Sequence, residues 1–388
     1  MFIDPKLARR SQLAEILEAM CEGLELSPSQ AELAEDRYGA VGRWLGDAPL
    51  LAGAWIYVHG SVALGTTTKP LGKAEFDVDL VCHVPHATPA TRPAALKTLV
   101  GDRLKDHGTY QRLIEEMRRC WRLNYAGEFH MDITPSIPNP GCALGGELVP
   151  DKELRQWKPT NPIGYRRLFE KRALLQPMFR LLKAERYAAD SVEPYPARMR
   201  IKGLLRRVVQ LCKRHREIYF AGQPELAPLS VIITTLAARS YEWRVHNGVF
   251  DDEIDLLVSV LQSMPDFITF DGIGWYIPNE TTQGENFAEK WNAKPLLADA
   301  FYAWHRVCVA DLERLLELAG RDRIQKSLAD SFGSSAAADA MQPMTDRITA
   351  HRNSGRLVVT PGVGLSAATG TGGGTAVRPN TFFGHADR

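Results

Sequence analysis

"VHGSVALGTTTKPLGKAEFDVDLVCHVP", residues 58–85, decides how this 388-residue chain is read. It begins at the end of a β-branched and aromatic run, "AWIYVHG" (54–60), which passes straight into a Gly-Ser turn. It closes on a second strand, "FDVDLVCHV" (76–84). Side chains alternate along a strand, so Asp77 and Asp79 share one face while Val78 and Leu80 take the other. Two carboxylates this close repel, and burying them unpaired costs several kcal/mol. A divalent cation removes that cost, and Mg²⁺ takes one or two carboxylates together with the phosphates of a substrate. An isolated Asp-x-Asp pair is more often an ordinary solvated sheet face, so the neighbouring features have to carry the reading.

Three of them do. Gly60-Ser61 follows the first strand, and glycine lets the backbone approach an anionic group that the next amides can hold. Asp132 lies in "FHMDITP" (129–135), another strand. There Met131 and Ile133 face the core and Asp132 faces the other side, where it can join the first pair. Between turn and strand runs "ALGTTTKP" (63–70), polar loop of suitable length to pass around a ligand. Three carboxylates beside a phosphate-holding turn suit a two-metal phosphoryl-transfer site. One ion would activate the attacking hydroxyl, and the other would hold a nucleoside triphosphate and its leaving pyrophosphate.

Away from this stretch, the spacing predicts helix over 8–47 with Ser11 as N-cap, helix again over 91–119, and a hairpin, "WRLNYAGEFHMDITPSIP" (121–138). Residues 163–264 are mostly helical in pattern, a mixed loop (270–291) follows, and a last helix covers 294–319. Beyond 330 the composition collapses to Ala, Gly, Ser and Thr, as in "GLSAATGTGGGTAV" (364–377), which reads as a flexible linker. The order predicts an α+β protein: a core at 1–160, a helical lobe at 161–325 and a tail at 326–388, with the active site in the cleft between core and lobe.

Composition narrows the class. The six cysteines are scattered without a C-x-x-C pair, which predicts reduced thiols and argues against a structural zinc site. No apolar run approaches the length of a membrane span, so a cytoplasmic enzyme without a membrane partner is expected. Residues 151–216 hold 18 Lys/Arg against 6 Asp/Glu, although the whole chain carries only +1. Such a segment is a set of solvated helix faces or a positive wall for phosphates. His59, His130 and His215 are dispersed without metal spacing and read as packing or surface residues. Tyr57, Trp275 and Tyr276 read as core aromatics before base-stacking groups.

Gly-Ser, Asp-x-Asp and a later lone Asp together resemble the DNA polymerase β-like nucleotidyltransferase superfamily. Within it, "HGSVALGTTTKP", "EFDVDLV" and "FHMDITPSIP" resemble the bacterial cGAS/DncV-like nucleotidyltransferases of CBASS anti-phage systems. "VVQLCKRHRE" (208–217), "LSVIITTLAA" (229–238) and "IPNETTQGENFAEKW" (277–291) are similar to their helical-lobe patterns. The resemblance implies a nucleotidyltransferase core of mixed sheet and helices packed on a helical lobe. It implies that Asp77 and Asp79 bind two Mg²⁺ ions (Mn²⁺ as substitute) and that Asp132 completes the site for the acceptor hydroxyl. Gly60 and Ser61 would hold the donor's phosphates, joined by Lys213 and Ser230. Read from the residues alone, Lys213 is equally a solvated charge and Ser230 a helix cap.

The activity implied is template-independent transfer from ATP or another NTP, ending in a cyclic di- or trinucleotide messenger that acts on a separate effector. A linear poly(A)-type or tRNA transferase, a toxin or antitoxin modifying a macromolecule, and a non-catalytic nucleotide sensor are the rivals. A HORMA-type activator and an E1-like conjugating enzyme are the accessory partners implied. The latter would read the aromatic-Gly pattern in "RPNTFFGHADR" (378–388), although four residues follow Gly384, a departure from a bare glycine end.

Overall fold

The structure is a computed structural model that describes residues 5–72, 74–151, 153–180, 203–318, 320–360, 364–367 and 375–377. Its centre is a mixed sheet in the order β1-β2-β5-β4-β3, extended from β5 through β6 to β7. These strands are β1 (Trp55–His59), β2 (Phe76–His83), β3 (Ile114–Glu116), β4 (Trp121–Tyr125), β5 (Phe129–Pro138), β6 (Glu147–Pro150) and β7 (Trp157–Thr160). Only β2 and β5 run parallel; the other pairs are antiparallel. Between β1 and β2 lies the short helix α3 (Gly60–Leu64). Helices α2 (Pro28–Gly46) and α4 (Pro93–Lys105) cover one face, burying Val41, Leu45, Leu96, Val100 and Leu104 against Val78, Leu80, Met131 and Ile133. The other face stays free for polar side chains.

A second hydrophobic core forms from helices: α1 (Pro5–Gly23), α5 (Pro162–Ala173), α6 (Gly203–Tyr219), α7 (Ser230–Asn247), α8 (Glu253–Ser263) and α10 (Leu296–Glu317). The short α9 (Glu289–Ala293) adds Trp291 to it. Leu13, Ile16, Leu17 and Met20 recur at helical spacing and carry α1 into this core, whereas α2 packs on the sheet. The two N-terminal helices are therefore divided between the lobes.

Three expectations are corrected. The tail does not begin at 326: α11 (Arg321–Phe332) and α12 (Ser334–Asn353) bury Leu328, Phe332, Ala337, Ala340 and Met341 in the helical core. Alanine-rich sequence reads as low complexity, yet alanine is the best helix former and its small side chain suits close helix packing. The helix expected over 91–119 stops at Lys105, and Ile114–Glu116 instead gains hydrogen bonds as a sheet edge beside β4. The helical pattern that opens the 163–264 run stops at Ala173, shortly before Pro177, whose ring disfavours helix in the residue before it. Residues 181–202 of that run and the "RPNTFFGHADR" segment with Gly384 lie outside the described residues.

Candidate active site

Register across the sheet assembles the charged face. His59 pairs with Asp79, Asp79 with Asp132, and Asp132 with Arg122, so one row crosses β1, β2, β5 and β4 as base, acid, acid, base. Asp77 lies two residues before Asp79 on the same face, next to His130 of β5 at 3.6 Å. Burial pushes the Asp79 carboxyl above its ordinary value; His59 pulls it down, Asp132 and Asp77 push it further up, and Lys213 opposes them. Arg122 donates from Nε to Asp132 Oδ1 at 2.7 Å and from Nη2 to Oδ2 at 2.9 Å, with Nη2 3.5 Å from Asp77 Oδ1.

The Gly-Ser turn sits directly on this row. Gly60 has φ +63, in the left-handed region, and a Cβ there would collide with Asp79 Oδ2 and lie 3.1 Å from its Cγ. The loop after α3 is held carbonyl by carbonyl. Arg206, Gln210, Lys213 and Arg214 recur at helical spacing on one face of α6, and they donate to the backbone oxygens of Leu64, Thr67, Thr66 and Lys69 respectively. The Lys213 Nζ–Thr66 O distance is 2.9 Å. Burial pushes Lys213 down to about 8, Arg216 adding to the effect and Glu217 and Asp79 opposing it. Arg216 in turn donates to Ser230 Oγ at 2.8 Å at the start of α7. Sheet face, loop and helices enclose a cavity of about 660 Å³.

A family model, the Second Messenger Oligonucleotide or Dinucleotide Synthetase domain, matches residues 12–172. A c-di-GMP synthase of Roseivirga ehrenbergii is 32% identical over 390 residues, spanning 97% of this chain and 98% of that protein. The chain belongs to the cGAS/DncV-like nucleotidyltransferases. This CD-NTase is also 28% identical over 247 residues to the cyclic dinucleotide synthase CdnG of Bradyrhizobium diazoefficiens, across 59% of this chain and 58% of CdnG. The solved structure of that organism's CdnG in complex with GTP superposes with a TM-score of 0.66 at 22% identity, covering 86% of this chain and 99% of that one. The GTP-bound form of Vibrio cholerae DncV matches at 0.51 and 15% identity, over 85% of this chain and 80% of that one. Both likenesses show the shared fold, a polymerase β-like core with its helical lobe. The CD-NTase is thus an enzyme, a nucleotidyltransferase of the cyclic-oligonucleotide-synthase class.

All seven residues singled out from the sequence line this cavity: Gly60, Ser61, Asp77, Asp79, Asp132, Lys213 and Ser230. Lys213 is not a solvated charge but a buried one, and Ser230 does not cap its helix, since Leu229 holds the N-cap position and the Ser230 hydroxyl accepts from Arg216. Tyr57 lines the cavity as well, while its hydroxyl donates to Glu147. Trp275 packs among Phe270, Trp291 and Tyr302. His215 is a core histidine: Trp304 donates to its Nδ1 at 3.0 Å, and its Nε2 lies 3.1 Å from Asp311 Oδ2.

Arg122, Arg216, Asn279 and Glu285 reach the cavity without having been singled out. Arg122 had a signal. The turn Ala126-Gly127-Glu128 centres the β4–β5 hairpin on Gly127, which sets residue 122 opposite residue 132.

Members of this family work with divalent metal ions, and the donor set here fits one. Three carboxylates share a face, and Asp79 is raised first by its burial and then by the charges of Asp132 and Asp77, a cost that a divalent cation would relieve. Among the described residues no three His, Cys, Asp or Glu side chains already converge as a metal cage. Both oxygens of Asp132 are instead turned to Arg122.

Proposed function

We propose that the enzyme joins two molecules of GTP into c-di-GMP with release of two pyrophosphates. The observation that carries the transfer chemistry is the pairing of Asp79 with Asp132 beside Asp77, at the wall of a cavity that Gly60, Ser61, Lys213 and Ser230 also line. The guanine preference is supported by the full-length similarity to a c-di-GMP synthase and by the GTP complexes of CdnG and DncV. GTP therefore replaces ATP as the favoured substrate.

In this reading Asp77, Asp79 and Asp132 would hold the divalent ions, Mg²⁺ or Mn²⁺ as a substitute, with Asp132 on the acceptor side. When bound, the ions neutralise the triphosphate and lower the pKa of the acceptor hydroxyl. The chain's own groups position the reactants. The backbone at Gly60-Ser61 takes phosphate oxygens, and Lys213 turns from Thr66 toward the donor triphosphate together with Ser230. A ribose hydroxyl oxygen of one nucleotide bonds to the α-phosphorus of the other. The bond from that phosphorus to the bridging oxygen breaks, pyrophosphate departs, and the hydroxyl proton passes to solvent. A second, intramolecular transfer closes the ring.

The product would act on a separate effector in anti-phage defence. A solved complex of Escherichia coli CdnC with a HORMA protein, TM-score 0.55, supports a HORMA-type activator as a partner. An E1-like enzyme acting near Gly384 is the other candidate. No helix of the described residues is long and apolar enough to cross a membrane, and a cytoplasmic location suits a GTP-consuming enzyme.

Incubation with each NTP singly and with all four, in Mg²⁺ or Mn²⁺, tests the proposal by mass spectrometry after phosphatase treatment. A phosphatase-resistant c-di-GMP peak from GTP alone is expected. Linear products, label on a macromolecule, or a product made only when ATP is present would overturn it.

A further inference from the structure

The basic residue at the end of the charged row does more than balance charge. Arg122 projects from β4 directly opposite Asp132, and its planar fork takes both carboxylate oxygens at 2.7 and 2.9 Å. The same Nη2 stands 3.5 Å from Asp77 Oδ1, so the guanidinium spans two of the three acids. Its side chain is 22% exposed and Asp132 only 18%, which leaves the pair partly shielded from water and strengthens it. A divalent ion bound through Asp132 needs at least one of the oxygens that Arg122 occupies. The two cations therefore contend for one carboxylate.

Resting on the nucleotidyltransferase reading of the site, we infer that Arg122 is a positioning residue that holds Asp132 against metal ions until nucleotide arrives. In the nucleotide-free enzyme the guanidinium supplies positive charge between Asp132 and Asp77, so these acids stay together without needing an ion. The cavity that admits a nucleotide also contains Arg122. A phosphate there offers the fork an acceptor of the same bidentate geometry, and Asp132 is released as the phosphate is engaged. Ions then load together with the nucleotide rather than ahead of it. This coupling is a property of the β4–β5 hairpin register, because no other residue of β4 stands opposite Asp132.

The test is Mn²⁺ binding to the nucleotide-free, full-length enzyme, followed by electron paramagnetic resonance, for wild type, Arg122→Lys and Arg122→Gln. Arg122→Gln should bind Mn²⁺ about tenfold more tightly than wild type, the order of effect expected for losing a charge-assisted bidentate pair. Arg122→Lys keeps the charge and the fold but lacks the fork, and it should tighten binding by an intermediate amount. If Lys behaves as wild type while Gln tightens, charge alone is at work and the hold on Asp132 is wrong. Unchanged or weaker Mn²⁺ binding in both variants overturns the inference as well. Product formation by the wild type is assayed separately: c-di-GMP with no Arg122 effect on Mn²⁺ sinks only this inference. Absence of both product and Mn²⁺ binding sinks the function proposed above.

Discussion

Asp79 and Asp132 stand side by side as Cα partners on β2 and β5, the one parallel pair in the sheet. Their neighbours complete the charge pattern, with His59 beyond Asp79 and Arg122 beyond Asp132. A sheet places such a row at the spacing of its strands, about 5 Å, close enough for carboxylates to share an ion and to repel without one.

Asp79→Asn separates function from stability. If Asp79 holds metal as proposed, product synthesis should fall by about a hundredfold or more, since losing such a ligand forfeits several kcal/mol of transition-state stabilisation. The same change should raise the thermal midpoint of the metal-free protein at neutral pH. Asp79 is pushed above its ordinary value in the fold, so its ionised form costs stability at pH 7, and that cost fades as pH falls through the raised value toward the ordinary one. The gap between variant and wild type should therefore close toward acid. A variant less stable than wild type at pH 7 would refute the account of Asp79 burial.

Gly60→Ala places a methyl group against the Asp79 carboxylate at a residue with φ +63. The backbone strain is about 1–2 kcal/mol, small enough for the protein to fold. Displacing Asp79 should cost about a hundredfold in kcat, measured with saturating GTP, while the circular dichroism spectrum stays that of wild type.

Lys213 links nucleotide binding to pH. Burial lowers it to about 8, so in the empty enzyme it begins to lose its proton near that pH. A bound triphosphate favours the charged form, and binding above this value takes up a proton. Affinity for a non-hydrolysable GTP analogue should thus decline as pH rises past about 8, approaching tenfold per pH unit, and Lys213→Met should flatten the profile. Titration calorimetry in buffers of different ionisation enthalpy counts the proton directly. An equally steep decline in Lys213→Met would place the titrating group elsewhere.

Glu147 ties β6 to the polar face of the sheet, the face that carries Asp79 and Asp132. Tyr57 and Ser136 hydroxyls donate to its two oxygens at 2.6 and 2.5 Å, and His83 Nδ1 lies 3.5 Å away. Burial alone would push this carboxyl up, but the His83, Ser136 and Tyr57 contacts outweigh it and hold the value below the ordinary one. Stability from Glu147 is therefore fully present above its ordinary value and is lost as pH falls through the lowered one. Glu147→Gln should cost about 1–3 kcal/mol at pH 7 in urea unfolding, with the difference shrinking as pH falls from the carboxyl's ordinary value through its lowered one.

Much of this was legible in the chain itself. Alternation in "FDVDLV" and "FHMDITP" puts the three acids on polar faces, because side-chain direction along a strand is fixed by its pleat and needs no partner. Gly60 is legible for the same local reason: only glycine accepts both its backbone angle and the carboxylate behind it. Even Arg122 was there to be found, since a short hairpin turn dictates which residues face each other.

The remainder depended on packing between distant segments. Lys213 and Ser230 were ambiguous in sequence because burial, not residue type, makes the one a depressed cation gripping Thr66 and the other a partner of Arg216. Helix α12 was mistaken for linker because alanines such as Ala337 and Ala340 become informative only once a helical core closes over them. The sequence by itself determined which residues could carry nucleotidyl transfer, through local geometry. Only the tertiary structure decided that β2 and β5 lie adjacent and parallel, which brings Asp79 to Asp132, and that α6 closes over the loop after Gly60, because both follow from apolar surfaces buried across the whole fold.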